Sequence, residues 1–311
     1  MRIVFVGCGA VGGYFGGRLL QSGEDVSFVA RKRQFEVLKQ QGLTINSIAG
    51  DAKLSDIQVM QAPDGDFKAD IIFVTVKTFQ LSGALPAIKS LLAPHTRVIP
   101  LLNGVSAAKK LMDGGIAKKH ILGGLAKIIA KVSEPGVISH TGATPHITLG
   151  LFKDSEPSEQ NLLNALAQKL KNAGISTGIS RNIELALWRK YLFVAAWGAL
   201  ACVAGVSIGP LRENPGTRAV LIKLIQEYRA IANSLGVEIN QQIVDETLTF
   251  IDQLPGHSET SMQRDIASHS AGEFDALVTD ALNLAREQGI DVPRLSFCHA
   301  LLSLQISAFA E

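Results

Sequence analysis

Arg2-Ile3-Val4-Phe5-Val6-Gly7-Cys8-Gly9-Ala10-Val11-Gly12 is the stretch that decides the fold. Residues 2–6 read as a buried strand, and they run directly into a GxGxxG loop that opens a helical pattern carrying Gly13, Gly16 and Gly17. Strand, glycine turn and helix, in that order, make a site for a dinucleotide. Gly7 permits the tight turn and Gly9 lets a pyrophosphate approach the backbone. Gly12 brings the helix close to the strand, and the helix N-terminus presents its unpaired N–H groups to the anion. On this reading Gly7, Cys8, Gly9, Ala10, Val11 and Gly12 form the cofactor loop.

The next strand, Asp25 to Ala30, ends in Arg31-Lys32-Arg33. A site selective for NAD places an Asp or Glu there, about 20 residues beyond the glycines, to accept from the ribose 2′-hydroxyl. Three cations cannot accept that hydrogen bond. They pair instead with a 2′-phosphate, Arg31 bidentately, so the expected cofactor is NADPH.

Working outward, residues up to about 105 alternate apolar runs with helical patterns, as a parallel doubly wound sheet does. Arg2–Val6, Val26–Ala30, Ile71–Val76 and Arg97–Leu101 are the expected central strands, with a more polar excursion at Leu43–Met60. Ile121 to Leu151 is strand-like, with turns at Glu134-Pro135-Gly136 and Thr141-Gly142, and reads as an antiparallel extension of the same domain. After Ser180 the periodicity is helical, over Ile183–Gly205, Thr217–Leu235, Gln242–Leu254, Gly272–Gln288 and Pro293–Ala310. The expected architecture is α/β: an N-terminal Rossmann-type doubly wound domain over 1–180 and an all-α domain over 181–311. The loop Pro255-Gly256-His257-Ser258-Glu259 is the expected mobile connection.

Composition narrows the function classes. The chain has 311 residues, 47% hydrophobic and 19% charged, enough for two domains with large cores. Its net charge of +2 comes from 30 basic and 28 acidic residues, largely interspersed, which gives no footprint for nucleic acid. Three separated cysteines without a CxxC fit a reduced cytoplasm, and neither they nor the seven histidines show metal-ligand spacing. The apolar run after Arg2 is too short for a secretory signal. Tyr191 to Leu211 carries no charge and is long enough to span a bilayer. It also contains Gly198, Gly205, Gly209 and Pro210, so it reads as a buried helix between domains rather than a membrane segment. The sequence leaves a homodimer open.

Further motifs follow in order: Val76-Lys77-Thr78, Leu102-Asn103-Gly104-Val105, Glu134-Pro135-Gly136-Val137, His140-Thr141-Gly142, Trp188-Arg189-Lys190, Ser261-Met262, Asp265 and Glu273-Phe274-Asp275. With the glycine loop and Arg31, this series resembles the ketopantoate reductase family (2-dehydropantoate 2-reductase) over nearly the whole chain. The resemblance implies NADPH-dependent reduction of a 2-keto acid, most directly ketopantoate to pantoate in pantothenate biosynthesis. It implies that Lys190, opening the long apolar helix, is the general acid, and that Asn103 contacts the nicotinamide ribose and positions Lys190. It further implies that Lys77 lies near cofactor and substrate, that Glu273 faces the nicotinamide side, and that Ser261 contacts the substrate carboxylate. Without the resemblance, Ser261 reads as a helix cap and Glu273 as a solvated helix residue.

The sequence departs from the family pattern at Val194 and Gly198. Steps of four residues return to one helical face, and the family carries asparagines at these two substrate-facing positions beyond the lysine. Loss of two such donors weakens ketopantoate binding by roughly a hundredfold or more unless it is compensated. Val194, Trp197 and Gly198 would form a more apolar wall, with Gly198 leaving room for bulk, Trp197 reading equally as core packing or as a substrate contact, and Thr260 or Ser207 as substitute donors. Two rivals stand beside the ketopantoate reading: a reductase of a bulkier, more apolar keto compound, and a non-catalytic NADPH-binding sensor.

Overall fold

The computed structural model describes residues 1–142, 144–153 and 155–310, and the chain divides into two compact units. The first comprises residues 1–76, 80–102 and 107–183; the second comprises 77–79, 103–106 and 184–311.

In the first unit, β1 (Ile3–Val6), β2 (Val26–Val29), β5 (Gln58–Met60), β6 (Ile71–Val74) and β7 (Arg97–Pro100) form a parallel sheet in the order β5-β2-β1-β6-β7. Every residue of β1, β2 and β6 is buried, because a parallel sheet is covered on both faces and its strands cannot alternate. Phe5 lies in register with Phe28 on one side and Phe73 on the other, with ring centroids 6.0 and 4.9 Å away. α1 (Ala10–Gln21) crosses this aromatic row at Gly16, where a Cβ would stand 2.5 Å from the Phe28 ring. α2 (Lys32–Gln41), α3 (Leu81–Leu91) and α4 (Ala107–Asp113) complete the strand–helix alternation.

The segment 121–151 does not extend that sheet as antiparallel strands. With its neighbours it forms two separate mixed sheets. β3 (Leu43–Ser47), β4 (Ala52–Leu54), β9 (Ala130–Glu134) and β10 (Val137–His140) give the order β4-β3-β10-β9. β8 (Gly123–Lys127), β11 (His146–Gly150) and β12 (Ser176–Ser180) give β12-β11-β8. The β9–β10 hairpin turns at Gly136 (φ +77°), leaving the other edge of β10 to pair in parallel with β3. α5 (Glu159–Asn172) carries the chain back so that β12 joins β11 in parallel. The polar excursion at 43–60 therefore belongs to two sheets, with only β5 at the edge of the first.

The second unit is helical: α6 (Ile183–Ala204), α7 (Ile208–Glu213), α8 (Pro215–Ser234), α9 (Gln241–Gln253), α10 (Ser261–Ala267), α11 (Asp280–Glu287) and α12 (Pro293–Ser307). α6 is long and apolar enough to cross a membrane, yet 61% of its most apolar stretch is buried within the protein. Tyr191, Leu192, Ala195, Ala196 and Ala199 supply that burial in the helical core. Two expectations are corrected here. Gly272–Gln288 is not one regular helix, because a π-helix over Asp275–Thr279 precedes α11. The 255–259 loop is tied to α7 rather than loose: Gly209 N–H donates to the Gly256 carbonyl at 2.8 Å and Ile208 N–H to Ser258 at 3.2 Å.

Candidate functional site

The glycine loop is shaped by contacts that leave no space for side chains. Gly7 has φ +107°, and a Cβ there would lie 2.8 Å from the Val76 nitrogen. At Gly12 a Cβ would stand 2.0 Å from the Gly7 carbonyl oxygen and 2.4 Å from Thr75 Oγ1. The Thr75 hydroxyl donates to that same carbonyl at 2.6 Å, fixing the turn from the neighbouring strand. Gly9 is the opposite case, with nothing within 4 Å of where a Cβ would be. It is the N-cap of α1, whose first turn has neither a capping side chain nor an acidic residue. The unpaired N–H groups of that turn, through Ala10, Val11 and Gly12, thus stand beside open space, the arrangement a pyrophosphate fits.

Cys8 points inward. Burial pushes its thiol up to about 12, and its carbonyl accepts from Gln34 Nε2 at 2.8 Å. Gln34 Oε1 in turn accepts from Gly136 N–H at 3.2 Å, so one amide ties the loop to the β9–β10 turn. Arg31 is exposed just past the end of β2, its guanidinium donating to the Gly83 carbonyl. That contact holds a planar, permanently charged fork just past the end of β2.

Lys77, Asn103, Lys190, Asp265 and Glu273 all belong to the second unit. Lys77 and Asn103 each follow the end of a parallel strand by three residues, and Gly104 (φ +90°) turns the chain after Asn103. Lys190 Nζ donates to Asn103 Oδ1 at 2.6 Å, and Asn103 Nδ2 donates to Glu273 Oε2 at 2.7 Å. A cation on one side and an anion on the other dictate which way the amide faces. The Lys77 ammonium donates to Asp265 Oδ2 at 3.2 Å and lies 3.8 Å from Glu273 Oε2. Glu273 is buried rather than solvated, at 5% exposure, so its carboxylate requires partners such as the Asn103 amide and Lys77.

Lys190 lies two turns inside α6 rather than at its start, because the helix begins at Ile183 with Glu184 in its first turn. Ser261 is the first residue of α10 and is half-buried. The cap is Thr260, in a capping box with Gln263. Thr260 is thereby engaged: its Oγ1 accepts from Gln263 N–H at 3.2 Å, and its own N–H donates to Gln263 Oε1 at 3.0 Å. Val194 is half-buried. At Gly198 a Cβ would stand 3.2 Å from the Met262 methyl, the end of a flexible side chain, and 3.6 Å from Thr260 Oγ1, so a larger residue there needs Met262 to give by a few tenths of an ångström.

Three residues gained no role from the sequence. Asp265 was visible only as a motif residue, and Gly272 lets it approach: a Cβ at Gly272 would fall 2.3 Å from its carboxylate. Tyr191 and Tyr228 lie in helical segments and were given no role of their own. Their hydroxyls hold the π-helix that follows Glu273, Tyr191 donating to Ala276 and Leu277 carbonyls at 3.0 and 3.1 Å and Tyr228 to Leu277 at 2.8 Å. A π-turn withdraws carbonyls from the regular ladder, and two buried tyrosines satisfy them here.

Comparison with known proteins adds three findings. The family profile described as ketopantoate reductase PanE/ApbA matches residues 3–154, and the profile of its C terminal matches residues 182–305. The chain is 28% identical over 304 residues to the "Uncharacterized oxidoreductase YkpB" of Bacillus subtilis, covering 98% of each chain. Among solved structures it resembles 2-dehydropantoate 2-reductase from Geobacter metallireducens, with a TM-score of 0.88 at 28% identity over 98% of this chain and 99% of that one. It also shares the fold of a D-mandelate dehydrogenase solved with NADH and anilino(oxo)acetate, with a TM-score of 0.90 at 22% identity over 100% and 99% of the two chains.

Proposed function

The chain belongs to the ketopantoate reductase family of NAD(P)-dependent oxidoreductases, and from that premise we propose that it is a cytoplasmic enzyme reducing a 2-oxo acid to a 2-hydroxy acid with NADPH. The observation that carries the reading is the hydrogen-bonded run from Lys190 through Asn103 to Glu273. The glycine loop suits the cofactor's pyrophosphate and Arg31 its 2′-phosphate. Once bound, NADPH supplies a hydride to the carbonyl carbon.

The protein's own part is to manage the charge and the proton. As the carbonyl oxygen gains negative charge, the Lys190 ammonium stabilises it and transfers a proton to it, leaving a neutral amine that water reprotonates. Asn103 accepts from Lys190 through an amide oxygen, which is not basic enough to take that proton. Glu273 orients the amide from its other end, and the Lys77 ammonium, which also pairs with Asp265, offsets part of the buried carboxylate's charge. Ser261 is assigned to the substrate carboxylate.

Ketopantoate is the leading substrate. Val194 and Gly198 favour a second reading, a more apolar keto acid, since neither side chain can bond to a substrate hydroxyl. Loss of NADPH absorbance on mixing the protein with a panel of 2-oxo acids, ketopantoate included, tests the assignment. Oxidation with at least one acid is expected. Its absence with every acid would replace the enzyme with an NADPH-binding sensor.

A further inference from the structure

Trp197 carries an unexplained polar atom. Its side chain is 5% exposed, and Nε1 has no hydrogen-bond partner among the described residues. An indole nitrogen can only donate, and a buried donor without an acceptor costs free energy that a native core avoids.

The position on α6 gives this N–H a use. Seven residues beyond Lys190, at about 100° each, bring Trp197 to about 20° from the direction of the lysine, two turns along the same face. Helical side chains lean toward the N-terminus, which is the direction in which Lys190 lies. The Phe193 ring 5.3 Å from it, one turn closer to the lysine, agrees with that lean. The other side chains on this face are Phe193, Val194, Gly198 and Ala201, none of which can donate a hydrogen bond. Beside Gly198 stands the Met262 methyl, which cannot donate, and Thr260 is engaged in its capping box. The indole N–H is therefore the donor that this face retains after Lys190.

We propose that Trp197 is a substrate-binding residue whose indole N–H donates to the carboxylate of the 2-oxo acid while Lys190 engages its carbonyl. The proposal rests on the reductase reading above and names the anchor that reading lacks at positions 194 and 198. A carboxylate is the acceptor best matched to a buried, donor-only group.

Trp197→Phe keeps the aromatic packing and removes the N–H. If the donor binds substrate, KM for the oxo acid rises about ten- to hundredfold, kcat changes less than about threefold, KM for NADPH is unchanged, and the melting temperature does not fall. An unchanged KM together with a higher melting temperature overturns the proposal, because the N–H is then only an orphan of the core. A measurement on the unaltered protein guards against a variant that does not fold. With ¹⁵N-labelled indoles, the two tryptophans give two N–H signals, assigned with Trp188→Phe. An oxo acid added with NADP⁺, so that no turnover occurs, should shift the Trp197 signal and leave that of Trp188 in place. Turnover of the acid with an unmoved Trp197 signal overturns this proposal alone. A moved signal without any NADPH oxidation upholds the donor and overturns the reductase reading. Neither turnover nor shift overturns both.

Discussion

At Lys190 the protein holds a cation against an oxygen that cannot take its proton, 2.6 Å away on Asn103. In the proposed reaction a carboxylate in that place would compete for the Lys190 proton, whereas an amide positions without competing. Lys190→Ala should lower kcat by about 10²–10⁴ while NADPH binding, followed by fluorescence, is retained; a folded variant with near-normal kcat would remove Lys190 from the mechanism. Arg31 makes the corresponding prediction in the first unit. Arg31→Ala should raise KM for NADPH about tenfold or more and leave KM for NADH nearly unchanged, and steady-state kinetics with both cofactors checks it. Equal wild-type affinity for the two would remove the 2′-phosphate from the argument.

Among the elements, α6 and the π-helix decide how these side chains are presented. The Met262 methyl beside Gly198 makes that position a poor site for restoring an asparagine. Gly198→Asn should destabilise the protein by about 1–3 kcal/mol through overpacking, against a helix-propensity gain of well under 1 kcal/mol. Val194→Asn, at a half-buried position, should fold normally and improve kcat/KM for ketopantoate severalfold if the missing amide limits recognition. Denaturant titration and kinetics on the two single variants separate these effects. Elsewhere, buried Glu227 caps α12 from the side of α8, accepting from the N–H groups of Arg294 and Leu295 at 3.1 and 2.8 Å. A carboxylate at a helix N-terminus satisfies donors and opposes the helix dipole. Glu227→Ala should therefore cost about 2–3 kcal/mol of unfolding free energy.

For the whole molecule, the three cysteines share one fate in spite of their distance in sequence. All are buried, and burial raises Cys8 and Cys202 to about 12 and Cys298 to about 11. A thiol raised in the folded state favours folding while it is protonated. That contribution is whole below the ordinary thiol value of 9.0 and is lost as pH climbs toward 11–12. Melting temperature should accordingly fall between pH 9 and the folded-state values, and replacing Cys8 by Ser should flatten part of the decline. Native protein at pH 8 should resist iodoacetamide until it is unfolded, because the thiolate is the reactive form. Rapid alkylation of a folded sample would show that a thiol is more accessible than its burial indicates.

The sequence alone determined what depends on local rules and short spacings. A strand flowing into GxGxxG, an apolar run at each buried parallel strand, and helical periodicity after Ser180 all follow from neighbours within a few residues, so the α/β architecture was legible. The placement of the glycines at a strand-to-helix turn and of Arg31 at a strand end was legible for the same reason. Tertiary structure decided the pairings between distant segments. That β10 would pair in parallel with β3, more than ninety residues earlier, depends on which strand edges are left exposed after the hairpin forms. The burial of Glu273, the meeting of Asn103 with both Lys190 and Glu273, the approach of Met262 to Gly198 and the tyrosine-held π-turn likewise join residues dozens to well over a hundred positions apart. Periodicity shows which face of a helix is apolar but not what packs against it. Hydrogen bonds and contacts are satisfied in space, and the residue that completes each one is chosen by the fold.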